Sequence, residues 1–175
     1  MKKIKIILLA FVTTALFAGC SKDGATGPQG PQGAAGNANV QSGNFNVTSS
    51  TQWTYSVPYW YVSFSDPQLT SNIGTGGAVE VFVSVDGGTS WGAMPNAQPS
   101  GTAGLNVMWA YGYVGSNVTF EFSYSDGAQH NDPNTYYAAS CQFRVVCIAP
   151  SQLKAHPNVN LEDYNALRTT FNLKN

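Results

Sequence analysis

The residues best suited to chemistry lie in one polar loop, at positions 125–134. The loop contains His130 and four side chains whose oxygens could bind a metal ion: Asp126, Asn131, Asp132 and Asn134. Carboxylate and amide oxygens are the ligands that Ca²⁺ prefers. Their spacing matches no calcium loop, however, and Asp, Asn, Gly and Pro also form ordinary turns. We therefore assign no metal and no cofactor, and leave Ca²⁺ binding by this loop open.

Groups for acid–base or nucleophilic catalysis are sparse. The chain has only two histidines, His130 and His156. No Ser–His–Asp or Cys–His order stands out, and such triads are recognised by geometry and not by position. Most carboxylates fall at predicted turns or singly on strand faces, so no glycosidase-like pair is evident. The sequence thus predicts a protein that is not an enzyme, with no catalytic residue assigned; a hydrolase acting on extracellular glycan is the alternative.

Cys20 is the one residue for which a covalent modification is predicted. It ends the stretch LFAGC (residues 16–20), which resembles the bacterial lipobox, and it follows three lysines and an apolar run over residues 6–16. That run is shorter than the about 20 residues of a membrane-spanning helix and fits a signal peptide. We expect residues 1–19 to be removed and lipidated Cys20 to attach the chain to the membrane. An ordinary secretory signal with a chance cysteine is the alternative.

A collagen-like repeat follows the cysteine and completes segment 20–36. Its glycines recur at every third position: Gly24, Gly27, Gly30, Gly33 and Gly36. Five triplets are few for a triple helix, whereas an extended segment rising about 3.1 Å per residue would reach about 45 Å. The repeat therefore predicts a spacer and a monomeric protein, and a trimeric stem is the alternative.

The charge of the remaining chain, residues 37–175, restricts its partners. No Lys or Arg occurs between Lys22 and Arg144, and residues 37–175 contain four basic and eight acidic side chains. Nucleic-acid binding needs clustered Lys and Arg. Nucleic acid is therefore excluded as a partner, and membrane attachment is expected to come from the lipid.

Alternating apolar and polar residues predict about eight short strands. The segments are 40–47, 52–57, 59–65, 78–85, 89–94, 104–114, 118–124 and 141–147. Period-two alternation with Gly, Pro and Asn turns is typical of antiparallel sheets. The fold class is therefore all-β, an antiparallel β-sandwich that is jelly-roll-like or Ig-like. One short C-terminal α-helix is expected over residues 161–171, with Asn160 as its cap.

Two motifs in this region have structural interpretations. Residues 84–91, SVDGGTSW, match the Asp-box pattern known from sialidase-type propellers. The chain has a single copy, whereas a propeller needs several. The motif therefore predicts only a hairpin turn held by Asp86, with Trp91 packed beneath it. Cys141 and Cys147 lie six residues apart on one strand, about 20 Å, which is too far for a disulfide. We expect them to be buried free thiols.

A cluster of aromatic side chains is the predicted binding site. Its members are Trp53, Tyr55, Tyr59, Trp60 and Tyr61. Exposed Trp and Tyr rings stack on sugars and are common in protein interfaces. Consecutive aromatic residues on a strand point to both faces, so one large ring is expected near solvent. The cluster predicts binding of a glycan or a surface protein, and packing of these rings in the core is the alternative.

The whole order of motifs resembles one group of proteins. After the lipobox and glycine triplets come NANV (37–40), YSDG (124–127), FRVVCI (143–148) and HPNVNLEDYNALRTTFNL (156–173). This order is similar to small Bacteroidetes lipoproteins that have a short collagen-like repeat before a β-rich domain. The resemblance implies a lipid-anchored β domain in the cell envelope, at the outer membrane and facing the periplasm or the surface. It implies no catalytic residue.

Overall fold

A computed structural model describes residues 39–70, 73, 75–130 and 141–174. They belong to a unit that spans Ala34–Asn175. The predicted signal peptide, Cys20 and the collagen-like repeat lie outside the described residues. So do Asn131, Asp132 and Asn134 of the polar loop.

The described residues form nine β-strands, most of them where the sequence alternates. The strands are β1 (Val40–Asn46), β2 (Thr54–Ser56), β3 (Tyr59–Ser65), β4 (Ala78–Ser84), β5 (Gly92–Ala93), β6 (Asn96–Pro99), β7 (Asn106–Val114), β8 (Asn117–Tyr124) and β9 (Gln142–Ile148). They pair antiparallel in two sheets, ordered β1-β9-β4-β5 and β2-β3-β8-β7-β6. The prediction of an all-β antiparallel sandwich is confirmed.

The core lies between the inner faces of the two sheets. Phe120 of β8 and Phe143 of β9 stack across it, with ring centroids 4.0 Å apart and planes at 7°. Both rings are fully buried, and burial of such a side chain contributes about 1.5–3 kcal/mol. Cys141 and Cys147 are buried and free, as predicted.

Two helices follow the last strand: α1 (Pro150–Ala155) and α2 (Tyr164–Phe171). Phe82, Val146 and Ile148 on the outer face of the four-stranded sheet form a second apolar cluster with Leu167 and Phe171 of α2. Leu167 and Phe171 are four residues apart, so they share one face of the helix. The C-terminal segment therefore covers part of this sheet.

The helix cap was predicted wrongly, and α1 was missed. Asp163 is the cap of α2, since its Oδ1 accepts hydrogen bonds from the amides of Asn165 and Ala166 at 2.8 and 3.2 Å. Asn160 only accepts one from the Glu162 amide, in a turn before the helix. The α1 segment is short and buries no residue, so it gives no amphipathic signal.

Strand prediction failed where apolar alternation is absent. Strand β6 was missed because Asn-Ala-Gln-Pro carries no alternating pattern, and its proline fits an edge strand. The predicted strand 89–94 shortens to β5, because residues before Trp91 belong to the Asp86 turn. Val57, the last residue of the predicted strand 52–57, lies in a turn and is 78% exposed.

Candidate functional site

Trp53, the first predicted binding residue, lies in the core. It is 5% exposed and its ring meets Phe122 edge-on at 4.8 Å and Trp109 at 6.3 Å. A ring enclosed in this way cannot stack on a ligand. Its interpretation as a binding residue is therefore wrong, because the short turn before β2 directs the side chain inward.

Tyr55 and Trp60 also turn toward the core, at its margin. They are cross-strand partners on β2 and β3, with ring centroids 5.0 Å apart. Trp60 stacks on Phe122 of the next strand at 6.4 Å and 14°. Both side chains are half-buried, and their ring contacts point toward the core and not toward the outer face of the sheet.

Tyr59 and Tyr61 point to the opposite side, toward solvent on the outer face of the five-stranded sheet. Strand alternation places them there because Trp60, between them, packs against the core. Their ring centroids are 6.5 Å apart and their planes make an angle of 64°. Ser56 pairs with Tyr59, and Thr54 with Tyr61, on neighbouring β2. Two adjacent, half-buried aromatic rings with hydroxyl neighbours thus lie on this outer face.

A floor of short side chains extends from the tyrosines across the same face. Glu121 of β8 lies in register with Tyr61, and Ala110 of β7 follows in the same row. In the next row, Gly112 pairs with Thr119, and a Cβ added to Gly112 would meet nothing within 4 Å. We call this surface, formed by Tyr59, Tyr61, Thr119, Glu121, Ala110 and Gly112, the tyrosine face.

The electrostatics of the tyrosine face follow from composition. None of the five strands that form it contains Lys or Arg, and Glu121 is its only carboxylate. Sequence reasoning named the two tyrosines but missed Glu121. Its position between Phe120 and Phe122 in a strictly alternating strand is the signal that places it beside them on the outer face.

The polar loop brings one histidine and one carboxylate together. Nε2 of His130 lies 2.6 Å from Oδ2 of Asp126. The pKa of Asp126 is lowered, first by the hydrogen bond from the Ala128 amide and then by the one with His130. Both side chains are substantially exposed, and the Ala128 contact closes a local turn. In the described part of the loop the pair therefore serves the turn.

One carboxyl outside this loop has a raised pKa. Burial of Glu80 on β4 raises its pKa, and the charge of Glu162 raises it further. The sequence did not show that these two carboxyl groups lie close enough to repel each other, because 82 positions separate them (162 minus 80). Among the described residues, no group of three or more His, Cys, Asp or Glu side chains could hold a metal ion.

The Asp86 motif forms the turn that its sequence predicts. Asp86 Oδ1 accepts hydrogen bonds from the amides of Thr89 and Ser90 at 3.0 and 2.9 Å, and from Ser84 Oγ at 2.7 Å. Hydrogen bonds from the side chain and amide of Ser90, then from Ser84, lower the pKa of Asp86 to about 2. Gly87 has φ +73° and Gly88 +89°, conformations that favour glycine. The turn ends at Trp91.

No family model, curated protein or solved structure matches the chain. Within the described ranges, no helix combines the length and apolar character that crossing a membrane requires. The fold and the side-chain geometry therefore carry the functional argument.

Proposed function

We propose that this protein is a lipid-anchored, extracytoplasmic binding module that holds a neutral glycan on the tyrosine face and catalyses no reaction. The observation that carries the proposal is the solvent-facing pair Tyr59 and Tyr61, with centroids 6.5 Å apart beside Glu121. This pair lies on β3, which is hydrogen-bonded to a strand on each side, β2 and β8.

The chemistry of the tyrosine face suits sugars. Tyr rings offer an apolar face to the C–H groups of a sugar ring and a hydroxyl to its oxygens. Glu121 can accept hydrogen bonds from sugar hydroxyls, and charge-assisted bonds of this kind are about twice as strong as neutral ones. The absence of Lys and Arg from these strands disfavours sulfated or phosphorylated chains. A neutral glycan fits best.

A glycan fits the tyrosine face better than a surface protein does. Cores of protein interfaces are enriched in Tyr, Trp, Met and Arg and depleted in Glu and Ala. The rows beside the tyrosines contain Glu121 and Ala110 and no Arg, although Met108 of the same outer face is 42% exposed. Ser63 Oγ and Thr119 Oγ1 lie 2.8 Å apart there, which adds hydroxyls and no apolar area.

The anchoring part of the proposal rests on the lipobox resemblance at residues 16–20, and the spacer on the five glycine triplets. We propose that the module is monomeric and located at the outer membrane, facing the periplasm or the surface. The mass of the mature N-terminal peptide tests the anchor. An unmodified Cys20, or a mature start at another residue, would contradict it.

The binding experiment uses the whole chain, purified in detergent, on a glycan array and a panel of glycosidase substrates. We expect binding to neutral glycans without turnover. Tyr61→Ala should weaken that binding about tenfold or more, since removing a central aromatic residue of a binding site often costs 2 kcal/mol or more.

The matched control is Tyr113→Ala. Tyr113 is 44% exposed, but it lies at the end of β7 with the inward-facing parity of Trp109 and Tyr111. The Tyr113→Ala substitution should therefore leave glycan binding unchanged. Silence of the array, or equal loss in both variants, would overturn the glycan proposal, and turnover of any substrate would overturn the non-catalytic one.

A further inference from the structure

A concave site lies on the other sheet, at the edge of the helical layer. It is a cavity of about 430 Å³ lined by residues that include Gly88, Trp91, Gln142, Arg144, Tyr164 and Arg168. This volume is within the range of small-molecule sites, about 300–1,000 Å³. We call it the arginine pocket.

Arg144 is the unusual residue of this pocket. It is 6% exposed, in the middle of β9, where its neighbours are apolar. Its Nε donates a hydrogen bond to Asn44 Oδ1 at 2.6 Å, across the β1–β9 pair. The guanidinium carbon lies 4.8 Å from the ring centroids of both Trp91 and Tyr164. The side chain is thus fixed by one amide and two rings.

No carboxylate compensates this buried charge within the described part of the chain. Burial lowers the pKa of Arg144, and the positive charge of Arg168 lowers it further. The two terminal nitrogens have no hydrogen-bond acceptor among the described residues. A buried charge without an ionic partner is costly. Terminal N–H donors that line a cavity and have no acceptor in the described part of the chain therefore suit an external anion.

The elements around the pocket hold it in this shape. The Asp86 turn fixes Trp91 on one side, and Asp163 caps α2 so that Tyr164 begins the helix on the other. Gly88 lies against Gln142, since a Cβ there would come within 2.9 Å of Gln142 Oε1. The fork of Arg144 is therefore preorganised, which reduces the entropic cost of binding.

We propose that the arginine pocket binds the oxyanion group of a small ligand, a carboxylate or a phosphate. The terminal nitrogens of Arg144 form the bidentate contact, and Arg168 adds positive charge at the rim. Planar guanidinium matches both oxyanions in a way that an ammonium group does not. The site lies on the opposite sheet from the tyrosine face and is independent of the glycan proposal.

The test is a ¹H–¹⁵N NMR titration of the whole chain in detergent with glucuronate, inorganic phosphate and, as the neutral match, glucose. We expect an anion to shift the Nε–H signal of Arg144 and the indole N–H of Trp91. The indole signals of Trp53 and Trp109, in the core, should stay in place. A shift with glucuronate alone identifies a carboxylate, one with phosphate alone identifies a phosphate, and both identify a general oxyanion site.

Three variants locate the binding. Arg144→Lys keeps the charge but loses the fork, and should weaken anion binding about tenfold or more, the scale of 1.4 kcal/mol. Arg168→Glu reverses a charge at the exposed rim of the pocket, and should also weaken anion binding. Lys154→Gln removes a charge on α1, outside the pocket lining, and should have no effect.

Two results would overturn the proposal. One is the absence of any shift at Arg144 and Trp91 with either anion at millimolar concentration. The other is equal anion affinity in the original chain and in Arg168→Glu, a variant at an exposed position. Tyr61→Ala must keep anion binding, so loss of the glycan site and loss of the arginine pocket are distinguishable.

Discussion

The two outer faces of the sandwich differ in what they leave exposed. The tyrosine face is uncovered and has one carboxylate and no cation. The opposite face is covered in part by α2, and where the cover ends it has Arg144 beside Arg168. Both faces belong to antiparallel sheets in the same sandwich.

The difference follows from the outward-facing residues of each central strand. In β8 these are polar, including Thr119 and Glu121, so the sheet needs only one apolar contact surface. In β4 and β9 they include Phe82 and Val146, which are fully buried only because α2 lies over them. A sheet with two apolar faces needs a covering element on its outer face as well, here α2. The arginine pocket lies at the edge of that cover.

The largest expected effect is a difference in the free energy of unfolding between variants on the two outer faces. Phe82→Ala should lower the free energy of unfolding by about 3–5 kcal/mol, because it opens a cavity under α2. Met108→Ala, on the outer face of the five-stranded sheet and 42% exposed, should change it by about 0.5 kcal/mol or less. Urea denaturation measures both. Equal losses would mean that the helical layer adds no stability.

A second prediction sharpens the comparison by testing the inner face of the covered sheet. Burial raises the pKa values of Cys141 and Cys147 to about 12 from 9.0. A difference of three pKa units makes the thiolate about 1,000-fold rarer at pH 8. Both thiols should therefore resist iodoacetamide in the folded protein and react in urea, as mass spectrometry can show. Rapid labelling of the native chain would mean that this inner face opens to solvent.

The smallest expected effect concerns the turn that holds Trp91 beside the arginine pocket. The pKa of Asp86 is lowered to about 2 from 3.8, so the ionised form stabilises the fold above about pH 4. That contribution is lost as the pH falls through about 2. Asp86→Asn should remove this part of the pH dependence, and its denaturant midpoint should fall less between pH 4 and pH 2. Identical profiles for both proteins would contradict the role of the turn.

Much of the fold could be predicted from local patterns. The alternation in β3, β4 and β8 gave their positions and their inward faces, and the order of Asp86, the glycines and Trp91 gave the turn. These features depend on backbone geometry within a few residues. The helix α2 was also found, although its cap was not.

The candidate sites could be predicted only in part. The alternation of side chains along a strand places Tyr59 and Tyr61 on one face, but the sequence does not say whether another part of the chain covers that face. Alternation in the predicted strand 52–57 places Trp53 on the same side as Tyr55 but cannot say whether that side faces the core. The burial of Trp53 depends on Phe122 and Trp109, more than 50 positions away.

The sequence by itself determined most of the strands, their alternation and the absence of basic residues from the five-stranded sheet. Only the tertiary structure decided which outer face α2 covers and that Arg144 meets Trp91 and Tyr164. The one local signal was a lone arginine inside the apolar strand FRVVCI. The reason is physical: alternation is a property of neighbouring residues, whereas burial and charge compensation depend on contacts between segments that are far apart in the chain.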